Sequence, residues 1–513
     1  MRGRLLLAAA AVASHATALA GGFSWLDHGD LEAGAALGAP SGWLSLFAHG
    51  FARTGFYRPL TALSLSIDAL AGSPLAFHAV ALLLHALASV LASAAAEALG
   101  LSRRAALFAG LLFAVHPATG LVAGQLAMRA DLLAACALFG LVAAQRRGHP
   151  WLAAAAIAAG GLCKETVLVL GPLFVLALEA ERTRAKPGRA ARVAIPLAGL
   201  ALPLALRLFF APPWRSAFPP LSFAEAVGTR LAALAKSALA IALPFDRRIC
   251  DAFPIALPWH PAALAGAAVA AALVALAWKR RGPALLLGLA LVPSLGLVPA
   301  PRFWSPHYLY LPLGFAAILV AEAFERRGAR AFVAGAAACA VFAAVSLVDS
   351  SRYRDDTALF GGEVAGRPEC REAHLYLGDA MRRSGDLEGA ARAYEAAAAP
   401  APGFLAFSDE AAAQQNLGLV RLAQGRHFDA ELAFEQALEL QPDPLARRQL
   451  GHDLAAVAVA RGDPAEAARL LAPEVERPDA QPESILLLAR ALHDMGQDEE
   501  ARALLSRLPA NRP

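Results

Sequence analysis

Charge is scarce in this 513-residue chain: 17% of its residues are Asp, Glu, Lys or Arg, against 58% hydrophobic. A soluble globular chain carries roughly a quarter of its residues as charges, so an ordinary cytosolic enzyme is excluded. Cysteine is scarce too. The five copies, Cys136, Cys163, Cys250, Cys339 and Cys370, form no C-x-x-C pair, so neither a disulfide framework nor a zinc site is readable from their spacing. Three of them lie in apolar runs, where the thiol reads as a small hydrophobe. Lysine is absent after residue 349: residues 350–513 hold 18 Arg against 27 Asp and Glu, whereas residues 1–349 hold 28 Lys and Arg against 15 acids. The net charge of +4 therefore averages two objects. The first, residues 1–349, is an apolar domain embedded in a membrane; the second is acidic and soluble. Nor does the basic excess indicate nucleic acid, because it sits in short clusters between apolar runs, as in loops on the cytoplasmic side of a membrane.

A spanning helix needs about 20 mostly apolar residues. Candidates lie near 5–21, 74–99, 104–121, 130–145, 151–163, 166–180, 192–210, 262–278, 283–299, 308–324 and 331–349. Six basic clusters set the orientation: Arg2/Arg4, Arg103-Arg104, Arg146-Arg147, the run from Arg182 to Arg192, Lys279-Arg280-Arg281, and Arg326 to Arg330. All fall on one side if about eleven segments cross and residues 230–245, which contain Arg230 and Lys236, do not. The expected topology puts the N-terminus inside, and the loop 22–73 and the acidic domain outside. The first twenty residues also fit a secretory signal peptide, which would leave the remaining sidedness unchanged.

The acidic domain repeats. Glycines 385, 425, 462 and 496 recur at spacings of 40, 37 and 34. Five residues after each stands Ala (Ala390, Ala430, Ala467, Ala501), and four further a large apolar residue: Tyr394, Phe434, Leu471, Leu505. Leu377-Gly378 and Leu417-Gly418 precede the first two turns, and Pro402 and Pro442 close those units. This is the tetratricopeptide pattern, in which small residues let two antiparallel helices approach and large ones fill the gap to the next pair. The expected fold class is all-α: a polytopic membrane helix bundle, a linker at 350–370, and an α-solenoid of about four repeats over 371–513. Such a stack presents a groove suited to a protein or peptide partner.

Ionisable residues at membrane depth mark function by default, and the candidates here cluster on the expected outer face. After the first span comes F-S-W-L-D-H-G-D-L-E, with Asp27, His28, Asp30 and Glu32. Next come Y-R-P-L-T (Tyr57 to Thr61), His78 and His85 on one helix face, His116-Pro117, Arg129 with Asp131, Lys164-Glu165, and S-P-H-Y-L-Y-L-P (Ser305 to Pro312). Plainer readings exist. Arg129 and Asp131 also fit helix-end charges, His78 and His85 buried hydrogen-bonded residues, and Lys164-Glu165 a polar hairpin tip. An acid such as Asp27, just outside a span and beside aromatics, has no evident packing role.

In this order the segments F-S-W-L-D, Y-R-P-L-T-A-L-S, F-H-A-V-A-L-L-L-H, L-F-A-V-H-P with A-G-Q-L-A-M-R-A-D-L-L-A, L-C-K-E, Y-L-Y-L-P-L-G and S-R-Y-R-D-D-T-A-L-F resemble the transmembrane and tetratricopeptide-repeat (TMTC-type) O-mannosyltransferases and their bacterial GT-C relatives. The resemblance covers nearly the whole chain. Two departures stand out: acids paired in that family are split here as Asp27 and Asp30, and Pro306-His307 replaces its Glu-Arg. The resemblance implies an inverting glycosyltransferase that moves a hexose, mannose-like, from a polyprenyl-phosphate donor to an acceptor hydroxyl such as protein Ser or Thr. Leaving phosphate needs positive charge, for which Arg58, Arg129, Lys164 and His307 are the expected residues. An acceptor hydroxyl needs a base, expected to be Asp27, with Asp30 second. His28, His116, Asp131, Glu165 and Tyr308 complete the expected site. No cofactor or metal is expected, although some relatives use a divalent ion. The alternatives are a non-catalytic membrane scaffold that assembles an envelope complex through its repeats, and a carrier for a lipid-linked sugar. Heavy Ala, Leu, Arg and Pro usage suggests a GC-rich bacterial genome, hence an inner (plasma) membrane location with the repeats in the periplasm.

Overall fold

A computed structural model of the chain describes residues 1–28, 40–48, 56–181, 188–211, 220–246, 248–250, 252–296, 302–407 and 409–508. These residues are almost entirely helical, with one two-stranded antiparallel sheet of Phe253–Pro254 against Phe404–Leu405. The chain divides into two compact units, one of residues 1–359 with 403–405, the other of 360–402 with 406–513. The expected linker at 350–370 is itself ordered as a tight turn, Ser350–Arg354, and a helix, Asp356–Gly366. Asp355 starts that helix by accepting the Ala358 N–H at 2.8 Å, which satisfies a donor that a helix N-terminus otherwise leaves orphaned.

In the first unit, sequence sets the helix ends locally. Ser73, with Pro74 behind it, caps Pro74–Ala98; Ser102 caps Arg103–Val115; Ser222 and Glu225 form a reciprocal capping box on Phe223–Ala242. Gly148, at φ 82°, ends Arg129–Arg147 in the left-handed region that favours glycine. Pro74–Ala98 is the central helix, packed against Arg129–Arg147, Arg103–Val115 and Arg2–Ala13. Its buried stripe is small: Ala81, Ala88, Ala92 and Ala95 face inward while Leu83 and Leu87 face outward. Lipid is as apolar as leucine, so helices in a membrane associate through close packing of small residues. Gly110 and Gly160 follow the same rule, since a Cβ at either would sit 2.7 or 2.6 Å from Leu7 or Ala137.

Among the described residues, six helices are long and apolar enough to cross a membrane, or seven if Arg103–Val115 and Pro117–Gly124, bent by 59°, form one span. The expected count of about eleven is not reproduced. Pro150–Cys163 and Thr166–Ala180 have 14 and 15 residues, roughly 21–23 Å at 1.5 Å per residue, short of a hydrocarbon core of about 30 Å. The segments expected to cross at 262–278 and 283–299 share one continuous helix, Pro261–Leu291.

Among its described residues the second unit contains four antiparallel helix pairs: Arg371–Arg383 with Leu387–Ala398, Glu410–Ala423 with His427–Leu440, Pro444–Ala460 with Pro464–Val475, and Pro482–Asp494 with Asp498–Leu505. Gly385, Gly425, Gly462 and Gly496 all take positive φ, 73–86°, at the turn inside each pair. Ala390, Ala430, Ala467 and Ala501 are buried, as are Tyr394, Phe434 and Leu471. Gly378 and Gly418 press on the rings of Tyr394 and Phe434. Leu505 departs from the pattern and is exposed.

Candidate functional site

The segment that follows the first helix is tied down by groups far away in sequence. Asp27 is buried, and its carboxylate accepts the Ser24 N–H at 3.2 Å and the Ala127 N–H at 2.9 Å. Ser24 and Gln125 exchange two further hydrogen bonds, Ser24 Oγ to Gln125 Oε1 at 3.1 Å and Gln125 Nε2 to the Ser24 carbonyl at 2.7 Å. Asp356 accepts the Trp25 N–H at 2.6 Å and pairs with His28 Nε2 at 2.8 Å. Trp25 is buried at φ 55°. A bulky residue there is strained and persists only where its surroundings over-determine it. Three of the segments on which the resemblance rests, F-S-W-L-D, A-G-Q-L-A-M-R-A-D and S-R-Y-R-D-D, thus meet in space. Asp30 and Glu32 lie outside the described residues.

Arg129 begins the helix that Asp131 continues, and it is fully buried. Its guanidinium pairs with Asp68 at 2.7 Å and donates to Ser64 Oγ at 2.9 Å and the Phe77 carbonyl at 3.0 Å. This locks Pro59–Ala69 to the central helix. His116 is likewise structural in its contacts: Nδ1 accepts the Ala118 N–H at 3.2 Å, and Nε2 donates to the Ile241 carbonyl at 3.0 Å.

The other expected residues converge. A small cavity of about 30 Å³ is walled by Asp131, Lys164, His307 and Tyr308, with Tyr310, Thr166 and an apolar lining that includes Ala134, Ala135, Leu138 and Leu170. Lys164 Nζ lies 2.5 Å from Asp131 Oδ1, with the two side chains 7% and 13% exposed. Lys164 owes its position to the extended residue between Pro150–Cys163 and Thr166–Ala180. Thr61 fixes that break by donating to the Cys163 carbonyl at 2.9 Å. Beside it Arg58 grips Glu165 with two bonds, Nε to Oε2 at 3.0 Å and Nη2 to Oε1 at 2.6 Å, and stacks 3.9 Å over the Phe56 ring. Burial alone would raise the Glu165 carboxyl, but the Arg58 charge, helped by Lys164, overrides it and holds the group at about 2. Also in the lining, His307 Nδ1 is 2.7 Å from Ser305 Oγ, and the Tyr308 hydroxyl donates to the Arg302 carbonyl at 2.9 Å.

Arg129, Asp27, His28 and His116 do not line the cavity; Asp131, Lys164, His307 and Tyr308 do. Arg58 and Glu165 stand behind Lys164. Sequence reasoning passed over Arg302, which is buried 4.8 Å over the Trp25 ring and whose charge, with those of Lys164 and Arg58, bears on His307. Lys236, noted in the sequence only as a charge in the 230–245 segment, lies 3.9 Å over the Trp304 ring. The available signal was the adjacency R-F-W-S: a lone cation with aromatics at the end of an apolar run suits a cation–π contact. Among the described residues no three His, Cys, Asp or Glu side chains group so as to hold a metal ion.

Helices suited to a bilayer, a polar cavity between them and a tetratricopeptide stack describe a membrane protein with an interaction module. Residues 458–513 match the tetratricopeptide repeat family. The chain is also similar to protein O-mannosyl-transferase Tmtc1 of Drosophila melanogaster, 43% identical over 129 residues, which is 22% of this chain and 14% of that protein. To protein O-mannosyl-transferase Tmtc2 of the same organism it is 37% identical over 185 residues, 31% of this chain and 19% of the relative. The aligned segments thus span less than a fifth of either relative's length.

Proposed function

We propose that this protein is an integral-membrane hexosyltransferase that takes its sugar from a polyprenyl-phosphate donor and passes it to an acceptor hydroxyl, a protein Ser or Thr, on the outer face of the membrane. The observation that carries the reading is the cavity in which Lys164, Asp131, His307 and Tyr308, drawn from three separate segments, share one wall-to-wall space among apolar side chains. A lysine there meets the phosphate as it gathers charge on leaving, in surroundings where charge interactions are stronger than in water. The donor's lipid tail stays in the bilayer. Arg58, fixed through Glu165, keeps a second positive charge near Lys164, and His307 supplies a further polar group.

Inversion requires the acceptor to attack from the side away from the phosphate, with its base on that side. Asp131 touches Lys164, so its position suits holding the lysine rather than activating the acceptor. We assign the base to Asp27, with Asp30 second. Arg129, expected as a phosphate ligand, is better suited by its ion pair with Asp68 to holding the helices that frame the site. The repeats recruit the acceptor protein.

A scaffold without chemistry is the second reading, favoured by the repeat stack itself. Intact-mass analysis of exported proteins from cells carrying wild-type or Asp27→Asn protein at equal level separates the two. Hexose-sized steps present with wild type and missing with the variant are expected. Identical spectra carrying hexose would move the base to Asp30, and spectra without hexose in either strain would favour the scaffold.

A further inference from the structure

A buried pair of side chains, one of them lining the cavity, has no part in the scheme above. Tyr310 lines the cavity, and its hydroxyl lies 2.7 Å from Nδ1 of His85. The two residues are 1% and 0% exposed. The other ring nitrogen of His85, Nε2, lies 2.9 Å from the Ala114 carbonyl oxygen. A carbonyl only accepts, so Nε2 carries a hydrogen, and in the neutral imidazole Nδ1 is then a bare acceptor. The hydrogen shared between His85 and Tyr310 therefore belongs to the tyrosine. Phe113 braces both rings, at 5.8 Å from His85 and 5.0 Å from Tyr310 between centroids, so the pair has little freedom to rearrange.

The consequence is a hydroxyl with a fixed sense. Its single proton is committed to His85, and only its lone pairs remain for a ligand. Such an oxygen repels a phosphate oxygen but receives a sugar O–H. The cavity is thereby polarised, with the Lys164 ammonium as donor and the Tyr310 oxygen as acceptor.

Resting on the transferase reading above, we propose that Tyr310 accepts a hydrogen bond from one hydroxyl of the donor hexose and so sets sugar specificity, with His85 as the positioning residue that fixes its proton. A sugar lacking that hydroxyl leaves a buried acceptor unpaired, which is how a polar site rejects a near-isostere.

The test uses full-length protein in nanodiscs, with mannosyl phosphates of a short polyprenol as probes: the parent, and analogues in which each hydroxyl in turn is replaced by hydrogen or by fluorine. The readout is kcat/KM for each analogue relative to the parent, a ratio that does not depend on how much of a variant folds. Wild-type protein is expected to reject the deoxy and the fluoro analogue at one position alike, by roughly tenfold, because neither can donate. Tyr310→Phe is expected to erase that discrimination and leave the other positions unchanged. In His85→Leu the freed hydroxyl can turn its proton toward the ligand, so the fluoro analogue gains over the deoxy. Equal slowing of every donor by Tyr310→Phe overturns the proposal, as does a wild-type enzyme that accepts every fluoro analogue as well as the parent. Wild-type protein that neither binds nor turns over the parent defeats the transferase reading itself, and this inference with it.

Discussion

The sharpest consequence of the cavity concerns the Lys164–Asp131 pair, because stability and turnover should part company when it is dismantled in steps. Lys164→Met leaves the Asp131 carboxylate without its partner at 2.5 Å in a site where the two side chains are 7% and 13% exposed. Breaking a fully buried pair costs about 3–5 kcal/mol; the residual exposure here lowers the expectation to about 2–3 kcal/mol. Adding Asp131→Asn removes the stranded charge while keeping the side chain's shape, so the double variant should return to within about 1 kcal/mol of wild type. Turnover should not follow. Losing a cation at the leaving phosphate is worth about 10²–10³ in kcat, and Asp131→Asn supplies nothing in its place. Stability is read by thermal unfolding with a thiol-reactive fluorophore, which labels the free, buried Cys163 only as the bundle opens. Turnover is read as hexose release from a polyprenyl-phosphate donor. A double variant that recovers both stability and turnover would refute the reasoning, since Lys164 would then serve only to neutralise Asp131.

Arg129→Leu should destabilise the bundle by about 3–5 kcal/mol, because it strands Asp68 inside it, and Arg129→Lys should recover less than half of that, since an ammonium cannot reproduce the guanidinium's fork; the same thiol assay measures both. Glu165 gives a pH signature. Its folded value of about 2 lies below the ordinary 4.5, so its contribution, on the order of 3 kcal/mol, is complete above pH of about 4.5 and is lost as pH falls toward 2. Glu165→Gln should flatten the stability profile across that window, and an unchanged slope would show that other carboxylates account for it. In the repeats, Gly418→Ala places a methyl 2.6 Å from the Phe434 ring and should cost about 1–3 kcal/mol, seen in helix melting by circular dichroism.

The repeats were legible because their signal is local. A glycine forced to positive φ, an alanine five residues on and an aromatic four further fall within one helix pair, and Gly385, Ala390 and Tyr394 fold as their spacing predicts. The membrane unit was legible as a class but not as a count. Hydropathy registers Pro150–Cys163 and Thr166–Ala180 as apolar without saying whether helices that short cross a bilayer, and it splits at Lys279-Arg280-Arg281 what is one helix. Within the site, Lys164, Asp131, His307 and Tyr308 stood out as polar residues in apolar runs. Which cation meets which acid did not. Arg129 pairs with Asp68, 61 positions upstream, in an S-I-D-A-L stretch that reads as ordinary helix. Tyr310 and His85 are 225 residues apart, and nothing in either segment announces a shared proton.

The central claim is that this chain moves a hexose. Purified full-length protein is incubated with polyprenyl-phosphate mannose and a Ser/Thr-containing peptide, and both products are followed by mass spectrometry. The account predicts a hexose-sized gain on the peptide matched mole for mole by free polyprenyl phosphate, with both lost together in Lys164→Met. Folded wild-type protein, its Cys163 still protected, that yields neither product from any hydroxyl-bearing acceptor would contradict it.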